Sequence, residues 1–253
     1  MENSIARDGA SVQSLGRALD IVEAVLASSG RMAIGEIAQV TRLPLPTIHR
    51  LLKTLVDRGY MRRLPDRRYA IGYRFVPLGD VAVRLVGATS MAVLNELVAS
   101  LHETANLAVL SGDRVEYIAQ VPSPHPMRMF TEVGHRAALH STGVGKALLS
   151  ELTDPEVREI IARTGLAPAT EHTITSEQAL IGALSDIRRD GVVIDDEEQE
   201  LGVRCVAVPV RSALPIRMAV SISGPAIRVD AALIDRAIPL LTAAAARLAL
   251  SMP

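Results

Sequence analysis

The stretch LPLPTIHRLLKTLVDRGYMRRLPDRRYAIG, residues 43–72, restricts what this chain can fold into more than any other segment. Ile48, Leu51, Leu52, Leu55 and Val56 recur at the offsets of one helical face, while Thr47, His49, Arg50, Lys53 and Arg58 lie mostly off it. The spacing predicts a helix that buries one face and leaves a polar, basic face free for a groove. After Gly59 the pattern becomes extended. Met61 to Leu64 and Arg68 to Ile71 are short strand-like runs on either side of Pro65-Asp66, a turn signal. Arg62, Arg63, Arg67 and Arg68 flank that turn, so the expected unit is a reading helix followed by a basic β-hairpin.

Charge points the same way. Between Thr41 and Arg74 nine Lys/Arg stand against Asp57 and Asp66, a local net charge of +7; the whole chain is at −1, so the remainder carries −8. A basic patch on an otherwise acidic chain is the electrostatic footprint of a nucleic-acid contact, because neutralised phosphates release counterions. The chain has no Trp, two Phe and four Tyr, too few for base stacking on aromatic platforms, which favours duplex over single-stranded nucleic acid. Upstream, Leu15, Ala18, Leu19, Val22, Val25 and Leu26 form a helical stripe over residues 14–27, with Ser14 placed to cap it. A short helix over residues 34–40 ends near Thr41, and Pro44 marks the turn into the reading helix. Three helices and a hairpin at this spacing make a winged helix-turn-helix.

The rest of the 253 residues is enough for a second compact domain. Residues 75–88 read as a helical connector. Beyond it, strands are expected at 108–111, 115–121, 127–131, 192–195, 205–210 and 218–223, with helices over 142–152 and 230–251, the last containing Pro239. A single cysteine, Cys205, excludes an intrachain disulfide and a cysteine-cluster metal site. No apolar run is long enough to cross a bilayer and the N-terminus lacks the apolar core of a signal peptide, so a cytoplasmic protein without a membrane partner is expected.

With these elements in place, the chain resembles the IclR family of bacterial transcriptional regulators over nearly its whole length. The segments that carry the resemblance are SLGRALDIVEAV and LPLPTIHRLLKTLVDRGY in the N-terminal part, then HSTGVGKALL, DGVVIDDEEQELGVRCVAVPV and AVSISGP. The resemblance implies an α+β protein: a winged helix-turn-helix DNA-binding domain (residues 1–76), a linker helix (77–89) and a GAF-like α/β effector-binding domain (90–253). It implies a homodimer or homotetramer on palindromic double-stranded operator DNA, acting as a repressor of a catabolic operon. SPHPMRMFTEVG and HSTGVGKALL are further similar to regulators of allantoin and glyoxylate catabolism within the family. One position departs from the family pattern: Pro46 stands where a Ser is usual before Thr47. Proline suits the first turn of a helix but removes a polar phosphate contact. Thr47 and the free N–H groups of that turn are then expected to hold the DNA backbone. His49, Arg50 and Lys53 remain candidates for base or phosphate contacts, and Arg62, Arg63, Arg67 and Arg68 for contacts from the wing.

GVGKA fails as a phosphate loop, since neither the required upstream Gly nor a Ser/Thr after Lys146 is present. What remains is a small-residue turn exposing N–H groups at the positive end of a helix dipole, a setting that suits a carboxylate. The family resemblance implies an effector pocket of Gly143, Val144, Asp195, Cys205, Ser221 and Ser223. Ser221 and Ser223, two apart on a strand, face the same side. Met129 and Val203 are expected as its apolar walls. The polarity of these groups and the scarcity of aromatics favour a small polar acid of the glyoxylate, pyruvate or ureide class, its carboxylate on the helix N–H groups and Asp195 at its other end; an aromatic acid is the alternative. Catalysis and cofactors are not expected: His135, His140, His172 and the 195–198 carboxylates lack metal-motif spacing, no Gly-x-Ser-x-Gly elbow is present, and Cys205 has no evident base. A metal-bound sensor, or much further off a metal-dependent hydrolase, would need those scattered groups to meet in space.

Overall fold

The computed structural model describes residues 12–28, 30–128, 132–212 and 216–251, and the chain divides into two compact units, Met1–Val83 and Arg84–Pro253. In the first unit, α1 (Gln13–Ala27), α2 (Ile34–Thr41) and α3 (Leu45–Asp57) pack over a small antiparallel sheet. Its strands are β1 (Arg31–Met32), β2 (Met61–Arg63) and β3 (Tyr69–Ile71), in the order β1-β3-β2. The core joins Ile21, Val22 and Val25 of α1 to Ile37, Ile48, Leu52 and Met61. β1, too short to leave a pattern, was not expected, and it makes the hairpin a three-stranded sheet. Ser14 does not cap α1: the helix starts one residue earlier, and Val12 occupies the cap position without a side-chain bond. The stripe also divides, for Leu15, Leu19 and Leu26 are exposed while Ile21, Val22, Ala24 and Val25 are buried.

The turn between α2 and α3 has specific local causes. Thr41 Oγ1 donates back to the Ile37 carbonyl. Arg42 ends α2 in the left-handed region at φ 54°, its N–H returning to the Ala38 carbonyl. Pro44 then caps α3, and its carbonyl accepts the N–H groups of Thr47 and Ile48. Pro46 lies in the first turn, where a missing N–H breaks no intrahelical bond.

Helix α4 (Phe75–Leu101) is interrupted at Gly87, whose φ of 80° and ψ of 148° are not helical. The expected connector over residues 75–88 corresponds to the part before this break. In the second unit six strands form one antiparallel sheet: β4 (Thr104–Ser111), β5 (Arg114–Val121), β6 (Arg136–Ala137), β7 (Val193–Asp196), β8 (Val203–Val210) and β9 (Met218–Pro225). Their order is β6-β5-β4-β9-β8-β7. Period-two alternation sorts the strand residues between two cores. Val206, Val208, Val220 and Ile222 face the C-terminal half of α4 and α8 (Ala231–Ser251). Ala108, Cys205, Ala207 and Ala219 face α5 (Gly143–Ser150), α6 (Asp154–Thr164) and α7 (Glu177–Asp190). The sheet is therefore the middle of three layers, and the small side chains on the α5 face let that helix lie close.

Two expectations need correction. Met127 and Arg128 are not in a strand, and the rest of the expected strand at 127–131 lies outside the described residues. Pro122, Pro124 and Pro126 precede it at every second position, removing the N–H groups that a ladder needs; the edge strand is β6 instead. Helices α6 and α7 were not anticipated, although Thr153 and Glu156 form a capping box at the start of α6, with the Thr153 N–H donating to Glu156 Oε2 at 2.7 Å.

Candidate nucleic-acid interface and buried pocket

Helix α3 presents His49, Arg50 and Lys53 to solvent, with Thr47 half-buried and the opposite face closed by Ile48 and Leu52. The first-turn N–H groups are less available than the sequence implied: the Thr47 N–H already bonds the Pro44 carbonyl at 2.9 Å, and Pro46 has none. The four wing arginines are also not equivalent. Arg62 donates through Nε to the Ile71 carbonyl and through Nη1 to Tyr73 Oη, with its guanidinium 4.5 Å above the Tyr73 ring. Arg68 pairs with Glu36 at 3.4 Å, and Glu36 also accepts the Ala33 N–H at the start of α2. That carboxylate thus ties the wing to α2. The Arg63 and Arg67 side chains are exposed and have no hydrogen bond or ion pair among the described residues; Arg67 sits at the hairpin tip with φ 64°.

The second site is enclosed. Thr142 caps α5, accepting the Gly145 N–H at 3.1 Å while donating to the Ala138 carbonyl. Every residue of α5 is buried. A Cβ at Gly143 would stand 2.9 Å from Cys205 Sγ, so the approach of this helix to the sheet requires glycine there, and one at Gly145 would stand only 2.3 Å from the Leu139 carbonyl oxygen, so the turn that leads into the helix requires glycine at that position too. Strand register supplies the opposite wall. Asp195 pairs with Cys205 and Cys205 with Ser223, while in the next row Ala207 pairs with Ser221 and Ser221 with Asn106. Asp195, Cys205 and Ser223 therefore form one row across three strands, on the face that α5 covers.

Between them lies a small cavity lined by Gly143, Asp195, Val203, Cys205, Ser221 and Ser223, all foreseen, and by Asn106, Tyr117, Thr142, Gln199 and Glu200, which were not assigned to it. Its space open to water centres is about 20 Å³, little more than one water molecule requires. Val144 does not line it: its side chain belongs to the core beneath α5, and only its N–H, directed at the Cys205 sulfur, reaches the site. Met129 lies outside the described residues. Ser223 Oγ accepts from Asn106 Nδ2 at 3.1 Å, and Asn106 Oδ1 accepts from Gln120 Nε2, so the Ser223 O–H is free to donate into the cavity. Ser221 Oγ is buried with no oxygen or nitrogen partner and lies beside the Cys205 sulfur. The missed Asn106 is the only amide in the run TANLAVLS, and a buried polar residue among apolar ones in a strand is the signal that could have found it.

Asp195 occupies the place assigned to a ligand. Its Oδ2 accepts the Gly143 N–H at 3.3 Å and its Oδ1 the Glu198 N–H at 3.0 Å. The N–H groups at the start of α5 are thus all engaged within the protein, and the expectation that they wait for a carboxylate is corrected. Burial raises the Asp195 carboxyl to about 6, against the pull of Lys146 and the two N–H groups. Burial, with Asp195 beside it, pushes the Cys205 thiol up to about 12 and the Tyr117 phenol also upward, so both are neutral near pH 7. Lys146 is buried in a salt bridge to Glu198, whose other oxygen has no partner. Thr170 and Thr173 hold the neighbouring loop by donating to the Glu197 and Glu198 carbonyls.

His140 Nε2 lies 3.0 Å from the Ala167 carbonyl. Among the described residues no three His, Cys, Asp or Glu side chains are grouped to hold a metal ion, and no helix is long and apolar enough to cross a membrane.

Comparison with known proteins covers both units. The IclR helix-turn-helix domain model matches residues 14–65, and the bacterial transcriptional regulator IclR C-terminal model matches residues 82–250. The chain is 36% identical to the transcriptional repressor IclR of Escherichia coli (strain K12) over 225 residues, covering 86% of this chain and 82% of that one. It is 34% identical over 229 residues to the HTH-type transcriptional regulator BhcR of Paracoccus denitrificans, covering 89% and 82%. The crystal structure of an IclR transcriptional regulator from Alicyclobacillus acidocaldarius superposes with a TM-score of 0.83 at 26% identity, covering 95% of this chain and 98% of that one.

Proposed function

The chain belongs to the IclR family of DNA-binding transcriptional regulators, and from that premise we propose that it is a cytoplasmic repressor of a catabolic operon whose operator affinity is set by a small carboxylate metabolite. The observation that carries this reading is the cavity beneath α5, where the Ser223 hydroxyl, free to donate, and the Ser221 hydroxyl, set beside the Cys205 sulfur with no oxygen or nitrogen partner, converge with Asp195, Cys205 and Tyr117. Hydroxyl donors aimed into a closed space complement an acceptor such as a carboxylate. With about 20 Å³ open to water centres, the cavity must widen for any ligand, and a two- or three-carbon acid asks for less widening than a ring.

The DNA side of the proposal assigns base or phosphate contacts to Thr47, His49, Arg50 and Lys53 of α3, and phosphate contacts to Arg63 and Arg67 of the wing. Arg62 and Arg68 shape the wing through Tyr73 and Glu36. A palindromic operator calls for a symmetric pair of chains. The exposed Leu15, Leu19 and Leu26 on one face of α1 support burial of that face in a homodimer, whether alone or within a tetramer. Titration calorimetry with glyoxylate, pyruvate, allantoate and 4-hydroxybenzoate tests the ligand class. Saturable binding of one of the two smallest acids is expected, and binding of the aromatic acid alone would sink the small-acid reading.

A further inference from the structure

The cavity has an unbalanced charge inventory. Among the described residues its lining holds no Lys, Arg or His. The nearest cation, Lys146 behind the start of α5, is engaged by Glu198, and that pair is neutral as a whole. Of the two acids in the lining, Glu200 is exposed, while Asp195 is enclosed between α5 and β8. The remaining titratable groups that face Asp195 are Cys205 of β8 and Tyr117 of β5, and neither supplies positive charge. The Asn106, Ser221 and Ser223 side chains on β4 and β9 are neutral. A carboxylate entering this space would therefore set a second negative charge beside Asp195 with no free cation to offset it. Two carboxyl groups confined at one site hold a single proton between them.

Resting on the reading that the cavity takes a carboxylate, we propose that the effector enters together with one proton, held between Asp195 and the ligand carboxylate. The proton comes from solvent. It sits on Asp195 Oδ2, whose bond from the Gly143 N–H is the longer of the two that Asp195 accepts, and it is donated to one ligand oxygen. The other ligand oxygen accepts from the Ser221 and Ser223 hydroxyls. The direction of the pH effect follows from linkage. In the empty cavity the Asp195 carboxyl titrates at about 6, and the ligand's negative charge raises that value further. Below pH 6 the proton is already in place and affinity is level. Above it each binding event must take up a proton, so affinity falls.

Titration calorimetry of the full chain with pyruvate, in phosphate and in Tris at pH 7.5, counts the protons directly, because the two buffers release different heats on giving up a proton. Uptake of about one proton per pyruvate is expected, together with a Kd that weakens about tenfold per pH unit above pH 6.5 and levels below pH 5.5. Asp195→Asn should bind pyruvate without proton uptake and with an affinity independent of pH. Binding with the same heat in both buffers would overturn the proton while leaving the carboxylate reading intact. Full uptake persisting in Asp195→Asn would overturn the assignment to Asp195. Absence of binding by pyruvate and glyoxylate at every pH would overturn both the proton and the reading on which it rests.

Discussion

The two functional regions of this molecule use charge in opposite ways. On α3 and the wing, cations are exposed and several have no partner within the described structure, so their electrostatic energy is held for a ligand outside the protein. Under α5 the charges are buried and mutually engaged: Lys146 on Glu198, and Asp195 on two backbone N–H groups. An exposed cation in water interacts weakly with its own fold and strongly with a polyanion. A buried charge stripped of its partner is an uncompensated cost to the fold. Substitutions in the first region should therefore change binding and leave folding alone, and those that strip a buried charge of its partner in the second should change folding before they change binding.

The sharpest way to break this contrast is Lys146→Met, which leaves Glu198 buried without a cation. A loss of about 3–5 kcal/mol from the C-terminal unit is expected by scanning calorimetry, with most of it recovered in Lys146→Met/Glu198→Leu. A variant as stable as the wild type would show that the pair is not energetically buried. Next in size, Arg50→Ala should lose about 1–3 kcal/mol of preference for a selected operator over random duplex if it reads a base, with the melting profile unchanged. Equal weakening on both duplexes would place Arg50 on the phosphate backbone. Smaller still is the wing. Arg63→Ala and Arg67→Ala should each flatten the slope of log affinity against log salt by about 0.9, one phosphate contact apiece. Arg62→Ala, whose guanidinium is held over Tyr73, should flatten it less; four equal effects would contradict the division of the wing into contacting and bracing arginines.

The same contrast explains what could be read without coordinates. The reading helix and the wing are local: the spacing of Ile48 and Leu52 and the Pro65-Asp66 turn lie within 30 residues, and exposure of polar residues is the default. What the sequence concealed there was pairing, since the partner of Arg68 is Glu36, 32 positions away. The pocket is non-local. Gly143, Asp195, Cys205, Ser221 and Ser223 were assigned by family resemblance, and only the shared face of the two serines followed from strand periodicity. Asn106 escaped because β4 begins at Thr104, four residues before its apolar run was recognised, and because its contact with Ser223 spans 117 residues, whereas Tyr117 lay on an expected strand whose place beside the pocket only the sheet order reveals. Nor could the sequence show that Asp195 already takes the Gly143 N–H at the start of α5, for that depends on the register that sets Asp195 opposite Cys205.

The central claim is that occupancy of the buried cavity governs the exposed DNA-binding face. Operator affinity of the full chain, measured by fluorescence anisotropy at fixed salt with and without saturating pyruvate or glyoxylate, tests it most directly when the wild type is compared with Ser221→Ala/Ser223→Ala. The account predicts a shift of about 5–150-fold in the wild type, the range of typical coupling energies, and none in the double variant, whose affinity without effector stays within twofold of the wild type. An undiminished shift in the double variant, or no shift in the wild type with either acid, would contradict it.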